Sequence, residues 1–264
     1  MAVARAEIGI IGGTGVYSED MLEGVRRYEV CTPYGKPSSK IVLGKYKGIG
    51  VAFLFRHGES HSIPPHKVNY RANADALKRL GVSRVIGIAA VGSLNEAMKP
   101  GDIVVPDQFI DMTKARVSTF YDGPKTIHVS MADPFCDQMR KAASMEIRRL
   151  GIRHHANGTY VCVEGPRFST RAESRLWRLM KADVVGMTLA PEVTLAREVE
   201  MCYLTIATVT DYDCWKQSAV TAAEVARTMK KSTENVKAIL EKLVPSLPRE
   251  RECACKSALL GAGL

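Results

Sequence analysis

Side-chain amides are scarce in this chain, with five Asn and three Gln among 264 residues. So little of a heat-labile group is a composition found in thermophilic proteins. Long apolar runs are also missing. Stretches such as Ile8 to Ile11 and Val51 to Phe55 fall far short of the roughly 20 residues that a membrane helix needs. With 46% hydrophobic and 25% charged residues, the composition is that of a soluble globular protein. No basic segment with a long apolar region and a small-residue cleavage site precedes the first strand-like run, so a cytoplasmic location is expected. The seven cysteines include no Cys-x-x-Cys pair. Cys253-Ala-Cys255 comes nearest, and the spacing gives no reason to expect a metal site or a metal cofactor. Although the formal charge is +9, no run pairs basic clusters with aromatic residues. Neither nucleic acid nor membrane is an expected partner, and the positive surface suits steering of an anionic substrate.

What is present is an alternation of apolar runs and helical patterns. Runs at 8–11, 41–43, 51–55, 85–90, 103–105, 160–163, 184–187 and 203–209 read as buried strands. Val68, Ala72, Ala76, Leu77 and Leu80 share a helical face that stops at Gly81, and Asp133-Pro134 reads as the cap and first turn of a helix ending near Gly151. Thr170 to Glu173 and Thr221 to Glu224 have the spacing of capping boxes. The second opens the longest helix, with Val225, Met229, Val236, Leu240 and Leu243 as its apolar stripe. The pattern predicts an α/β fold, a single domain over 1–245 whose mixed or largely parallel sheet is covered by helices. Residues 246–264 read as an exposed C-terminal tail.

Several polar turns follow apolar strands, which is where open α/β sheets place ligands. Gly12-Gly13-Thr14-Gly15 could let backbone amides and a hydroxyl approach an anion, although Ser18 falls where a dinucleotide fingerprint would need its third small residue. Arg56-His57-Gly58 puts a guanidinium fork, suited to two parallel bonds with phosphate, beside an imidazole. The ordinary alternative for Arg56 is an ion pair, and Arg-His-Gly also occurs in histidine phosphatases. Ala89 to Ser93 forms a small-residue turn. Glu164 to Thr170, Gly186-Met187-Thr188 and Thr210 to Asp213 add a ring, hydroxyls and two carboxylates, a set that suits a nucleoside.

From Ile8 to Leu243 the chain resembles the methylthioadenosine phosphorylases of the trimeric purine nucleoside phosphorylase superfamily, in a thermophilic, archaeal-type form. The resemblance is carried in order by Ile8 to Gly15, Arg56-His57-Gly58, His66 to Tyr70, Pro100 to Val104, Asp107 to Asp111, Met131 to Cys136, Glu164 to Phe168 and Thr210 to Trp215. It implies a purine/uridine phosphorylase-like fold with a central mixed, partly barrel-like sheet. It also implies phosphorolysis of 5'-deoxy-5'-methylthioadenosine in purine and methionine salvage, phosphate being a co-substrate. Carried over by position, Thr14, Arg56, His57, Ala90 and Thr188 surround phosphate, with Ala89 standing where relatives have a hydroxyl residue. Met187 meets the ribose through its backbone, Phe168 stacks on the purine, and Asp211 and Asp213 meet the adenine edge. His128 reaches a neighbouring subunit's site, which implies a homotrimer or a homohexamer.

Loss of the purine leaves positive charge on the sugar and negative charge on the base. Arg56 and His57 would hold the attacking phosphate, while Asp211 would favour protonation of the ring, directly or through a water. Asp211 with Ser169 favours adenine over 6-oxopurines, and Thr221, Ala222, Val225 and Ala226 would form an apolar 5' pocket with room for adenosine. A broad purine nucleoside phosphorylase or a methylthioinosine phosphorylase is the alternative. Of the cysteines, some among Cys136, Cys202, Cys253 and Cys255 are expected in disulfides, with Cys31, Cys162 and Cys214 as free buried thiols.

Overall fold

The computed structural model describes residues 5–13, 22–216 and 220–263. Eleven strands form one mixed sheet. Its main path runs β2 (Glu23–Tyr28), β3 (Ile41–Tyr46), β4 (Ile49–Phe55), β1 (Ile8–Gly12), β5 (Arg84–Ser93), β10 (Val184–Gly186), β9 (Thr159–Val163) and β7 (Gln108–Met112). β11 (Cys202–Asp211) pairs with the other edge of β5 and with β6 (Ile103–Val104), which pairs with β8 (His154–His155). Helices α1 (Tyr70–Arg79) and α4 (Glu192–Glu198) pack on one face through residues such as Leu77 and Val193. Helices α2 (Asp137–Arg149) and α5 (Ala222–Ser246) cover the other through Met139, Ile147, Val236 and Leu240. Strand alternation explains the division: Ile86 and Ile88 of β5 face the second cluster, while Val85 and Ala89 face the first. The remaining helix, α3 (Arg171–Leu179), buries Trp177 in a smaller cluster with Leu94 and Val161.

Every apolar run read as a strand coincides with one, although those at 103–105 and 184–187 run one residue past the ends of β6 and β10. β2, β7, β8 and α4 carry no such signal. β2 is an edge strand, largely exposed, and its Glu-Gly-Val-Arg-Arg-Tyr sequence shows no apolar alternation. α4 is buried on nearly all sides, so it lacks the polar face that makes a helix visible. Gly81, at φ +86°, ends α1 as its left-handed geometry requires. α2 starts later than expected: Cys136, not Asp133, is its N-cap residue. At α3 both halves of the Thr170–Glu173 capping box form. At α5 the Thr221 hydroxyl accepts from the Glu224 N–H at 3.2 Å. Of the α5 stripe, Val236, Leu240 and Leu243 are buried, while Val225 and Met229 are only half-buried. The C-terminal segment is not simply an exposed tail, because α5 continues through Pro245 and Leu247, Cys255 and Ala262 are buried against the body. Among the described residues, no helix is long and apolar enough to cross a membrane.

Candidate active site

β5 creates the site by changing partners along one edge. Its first half pairs in parallel with β1 as far as Ile11 and Gly87, while its end pairs antiparallel with β10 at Val185–Gly92 and Val184–Ser93. The ends of β1 and β10 therefore converge from opposite directions and leave residues 88–91 between them. Ala90 is the one exposed residue of an otherwise buried strand. Its methyl group and the nearby backbone form the floor of an opening where sheet pairing is interrupted, a place suited to a ligand. Ala89 points to the opposite face and packs in the core, so only its backbone can serve this opening. Gly13 stands at the end of β1 with open space where a Cβ would lie. Thr14, expected beside it, lies outside the described residues.

Arg56 follows β4 and is buried beneath the opening. Its Nε and Nη2 donate to the two carboxylate oxygens of Glu192 at 2.8 and 2.7 Å, and its Nη1 donates to the Ile88 carbonyl at 2.7 Å. Tyr203 completes the cluster by donating to Glu192 at 2.6 Å. The two-bond fork expected for phosphate is thus directed at Glu192, and the guanidinium's charge is matched inside the protein. Burial alone would lower the pKa of Arg56, but Glu192 more than reverses this and the net direction is upward. Leu189 to Leu195 contains one acid in an apolar stretch. Such an acid needs a buried cation, a signal from which Glu192 could have been found.

His57 is half-buried, and its Nδ1 lies 2.8 Å from the Ile63 carbonyl. A carbonyl only accepts, so Nδ1 carries the proton and Nε2 of the neutral ring is an acceptor. Burial, followed by the charge of Arg56, lowers the His57 pKa to about 4. At neutral pH the ring can accept from a protonated phosphate oxygen. Thr188 and Met187, just past β10, are half-buried, and Tyr160 packs so closely under Gly186 that a side chain there would strike its hydroxyl.

The two acids stand where β11 ends. A bulge between Val209 and Asp211 sets Asp211 opposite Gly92, and a Cβ at Gly92 would lie 2.8 Å from the Asp211 carboxylate. Asp211 accepts from the Thr210 hydroxyl and the Asp213 N–H, each at 2.7 Å. Its pKa is nevertheless raised, chiefly by burial, as is that of Asp213. Both acids border a cavity of about 750 Å³, with Tyr212, Trp215, Val220 and Glu224 among its other walls. That volume suits a nucleoside-sized ligand. Ser169 reaches the same turn, its carbonyl accepting from Cys214 Sγ at 3.2 Å. Phe168 is 39% exposed, a ring left uncovered on the strap before α3. Ala222 and Ala226 are exposed and Val225 half-buried at the start of α5, whereas Val220 and Glu224 line the cavity.

Arg116, which sequence reasoning missed, ties these parts together. It donates to the carbonyls of Met187 at 2.8 Å, Ala190 at 2.6 Å and Glu164 at 2.6 Å, and pairs with the Glu164 carboxylate at 3.2 Å. It lies in an irregular segment with no periodic pattern to mark it. His128 stands apart from this assembly. It is exposed, and its backbone N–H donates to the Ala262 carbonyl at 2.8 Å. Cysteine expectations change too. All seven are free thiols, and Cys31 is exposed rather than buried. The Cys202 and Cys253 sulfurs are 3.3 Å apart, beyond the length of a disulfide bond.

Comparison with known proteins places this architecture. The sequence model described as "Phosphorylase superfamily" matches residues 7–245. The chain is 61% identical over 255 residues to the S-methyl-5'-thioadenosine phosphorylase of Thermofilum pendens, covering 97% of each. It is 55% identical to that of Saccharolobus solfataricus, covering 97% of this chain and 96% of the relative. Among solved structures, a methylthioadenosine phosphorylase from an Antarctic soil metagenomic library superposes with a TM-score of 0.95 at 45% identity, covering 99% of this chain and 93% of the other. A variant adenosine/methylthioadenosine phosphorylase of Schistosoma mansoni in complex with methylthioadenosine matches with a TM-score of 0.90 at 39% identity, covering 98% of both chains.

Proposed function

The chain belongs to the phosphorylase superfamily, and from that premise we propose that it cuts 5'-deoxy-5'-methylthioadenosine with inorganic phosphate, as a salvage enzyme of the cytoplasm. The products are adenine and 5-methylthioribose 1-phosphate. The observation that carries this reading is the pair of buried acids, Asp211 and Asp213, at a strand end beside a nucleoside-sized cavity.

Phosphate occupies the opening along residues 88–91. There the Ala89–Ala90 backbone, Thr188 and the His57 imidazole surround it, with Arg56 beneath, and the family resemblance also assigns Thr14 to phosphate. The ribose lies against the Met187 backbone and the purine against Phe168. As the glycosidic bond breaks, a phosphate oxygen bonds to C1' and the bonding electrons leave with the purine. A proton reaches the purine from Asp211, directly or through a water, and a raised pKa suits a carboxyl to that role. Asp213 and Ser169 complete the adenine edge, while Ala222 and Val225 at the rim of α5 leave room at the 5' end. His128 serves a neighbouring copy in a homotrimer or homohexamer. The apolar side chains of Leu176, Leu179 and Met180, exposed along α3, support self-association. The deciding assay offers methylthioadenosine, adenosine and inosine in parallel, with and without phosphate. Phosphate-dependent adenine release from methylthioadenosine is expected. No release would remove the proposal, and equal turnover of inosine would remove the adenine preference.

A further inference from the structure

β9 and β10 run side by side only as far as Cys162 and Gly186. Past that point each chain leaves the sheet, one as the strap from Glu164 to Phe168 and the other as the loop of Met187 and Thr188. The strap bears the ring given to the purine and the loop bears the groups given to ribose and phosphate, so their separation sets the distance between the two reactants. The ladder no longer fixes it. Arg116 begins where the ladder stops: its Nη2 donates to the carbonyls of Val163 at 3.3 Å and Glu164 at 2.6 Å, and its Nη1 to those of Met187 at 2.8 Å and Ala190 at 2.6 Å. One planar guanidinium thus bridges the two segments with the geometry of a fixed fork. We propose that Arg116 is a positioning residue for the reaction, holding the purine-bearing strap and the phosphate-bearing loop in register so that a phosphate oxygen stands in line with C1'. The inference rests on the proposed function and adds to it a residue that serves both subsites.

Its surroundings suit a clamp rather than a ligand. The Arg116 side chain is 2% exposed, its Nε pairs with the Glu164 carboxylate at 3.2 Å, and Nη1 also donates to the Tyr70 hydroxyl at 3.1 Å. All three nitrogens are engaged by the protein, so whatever Arg116 does for a substrate it does through the backbone it holds. Burial alone would raise the pKa of Glu164, but the Lys114 and Ala115 N–H groups and then Arg116 outweigh it, and the net direction is downward. Glu164 is therefore ionised at neutral pH and matches the buried guanidinium. A pair formed only for charge would not need four carbonyls from two segments. The segments also press together, since a Cβ on Gly165, at φ +67°, would lie 2.6 Å from Met187 Sδ. A shift of the strap is felt at once by the loop.

The consequence is specific to the step that needs both reactants. Adenine and phosphate each make their own contacts on one side of the clamp, whereas bond exchange at C1' requires the two sides at the right distance, and a misplacement of about 1 Å can slow such a step about 10²-fold. Loosening the clamp should spare the binding of either ligand alone and slow turnover.

The test is made on the full chain, with kcat read at saturating methylthioadenosine and phosphate, and with the dissociation constants of adenine and of inorganic phosphate measured separately by calorimetry. Arg116→Ala should lower kcat about 10²-fold while changing each dissociation constant far less. Guanidinium chloride well below denaturing concentrations should restore part of that rate, and sodium chloride at the same ionic strength should not. Gly165→Ala leaves Arg116 in place but wedges the strap away from Met187, so it should show the same split between rate and binding even if Arg116→Ala fails to fold. Arg71→Met, which removes the 2.6 Å ion pair to Asp122 elsewhere on the segment that carries Arg116, should keep the parental kcat. A parental kcat in either folded clamp variant, or a loss of adenine or phosphate affinity as large as the loss of rate, would overturn the inference and leave the proposed function standing. A parent protein that releases no adenine would remove both.

Discussion

Arg56 and Glu192 bind each other through two hydrogen bonds in a site with almost no solvent. Removing one partner strands the other's charge, which typically costs about 3–5 kcal/mol. Glu192→Ala should show that loss in urea unfolding, against a much smaller effect for a substitution on the exposed surface. His57 makes a different prediction. Its pKa falls from 6.5 in the unfolded chain to about 4 in the fold, so the unfolded state binds more protons between these values. The stability contributed by its neutral form is present above about pH 6.5 and lost as pH falls toward 4. His57→Gln should flatten this part of the stability profile. For Asp211 the direction is opposite, since its pKa is raised. In its proposed role as proton donor it is competent at low pH and loses activity as pH rises through that pKa. Asp211→Asn should lower kcat/KM for methylthioadenosine by about 10²- to 10⁴-fold and abolish this limb of the pH profile.

At the scale of elements, the site depends on how β5 meets β11 and on the loops beyond β9 and β10. Gly92→Ala would push a methyl group into the Asp211 carboxylate while leaving the long β5–β11 ladder in place. Its expected signature is a large fall in kcat with the fold retained by circular dichroism. Thr170→Ala removes the hydroxyl half of the α3 capping box and should cost about 1 kcal/mol in thermal unfolding. The sequence disclosed these elements where patterning is local. Apolar runs marked the central strands, Gly81 marked the end of α1, and Thr170 with Glu173 marked the start of α3. It did not disclose β2, whose edge position demands no apolar alternation, or α4, whose burial erases it. Nor could it show that Arg56 faces Glu192 across 136 positions, because that pairing arises only when the turn after β4 and the start of α4 meet in the fold. Arg116 was hidden for the same reason, most of its partners being carbonyls that any residue supplies.

At the scale of the whole molecule, His128 is exposed and stands apart from the site of its own copy, and the proposed function gives it to a neighbouring one. If His128 serves a neighbour, then His128→Ala and Asp211→Asn subunits, each impaired alone, should recover activity when unfolded and refolded together. Hybrids would contain some sites with both residues intact. Unchanged activity on mixing would show that each copy works from its own residues. The chain carries a formal net charge of +9, which can draw an anion from a distance and which dissolved salt will mask. The Arg56 guanidinium in the floor of the opening is already balanced by Glu192 and shielded from the solvent. Ionic strength should therefore slow the arrival of phosphate more than it weakens its hold. The phosphate KM would then rise with added potassium chloride in step with the fall in association rate while the dissociation rate stays nearly constant, as for a ligand gripped by fixed dipoles instead of net charge.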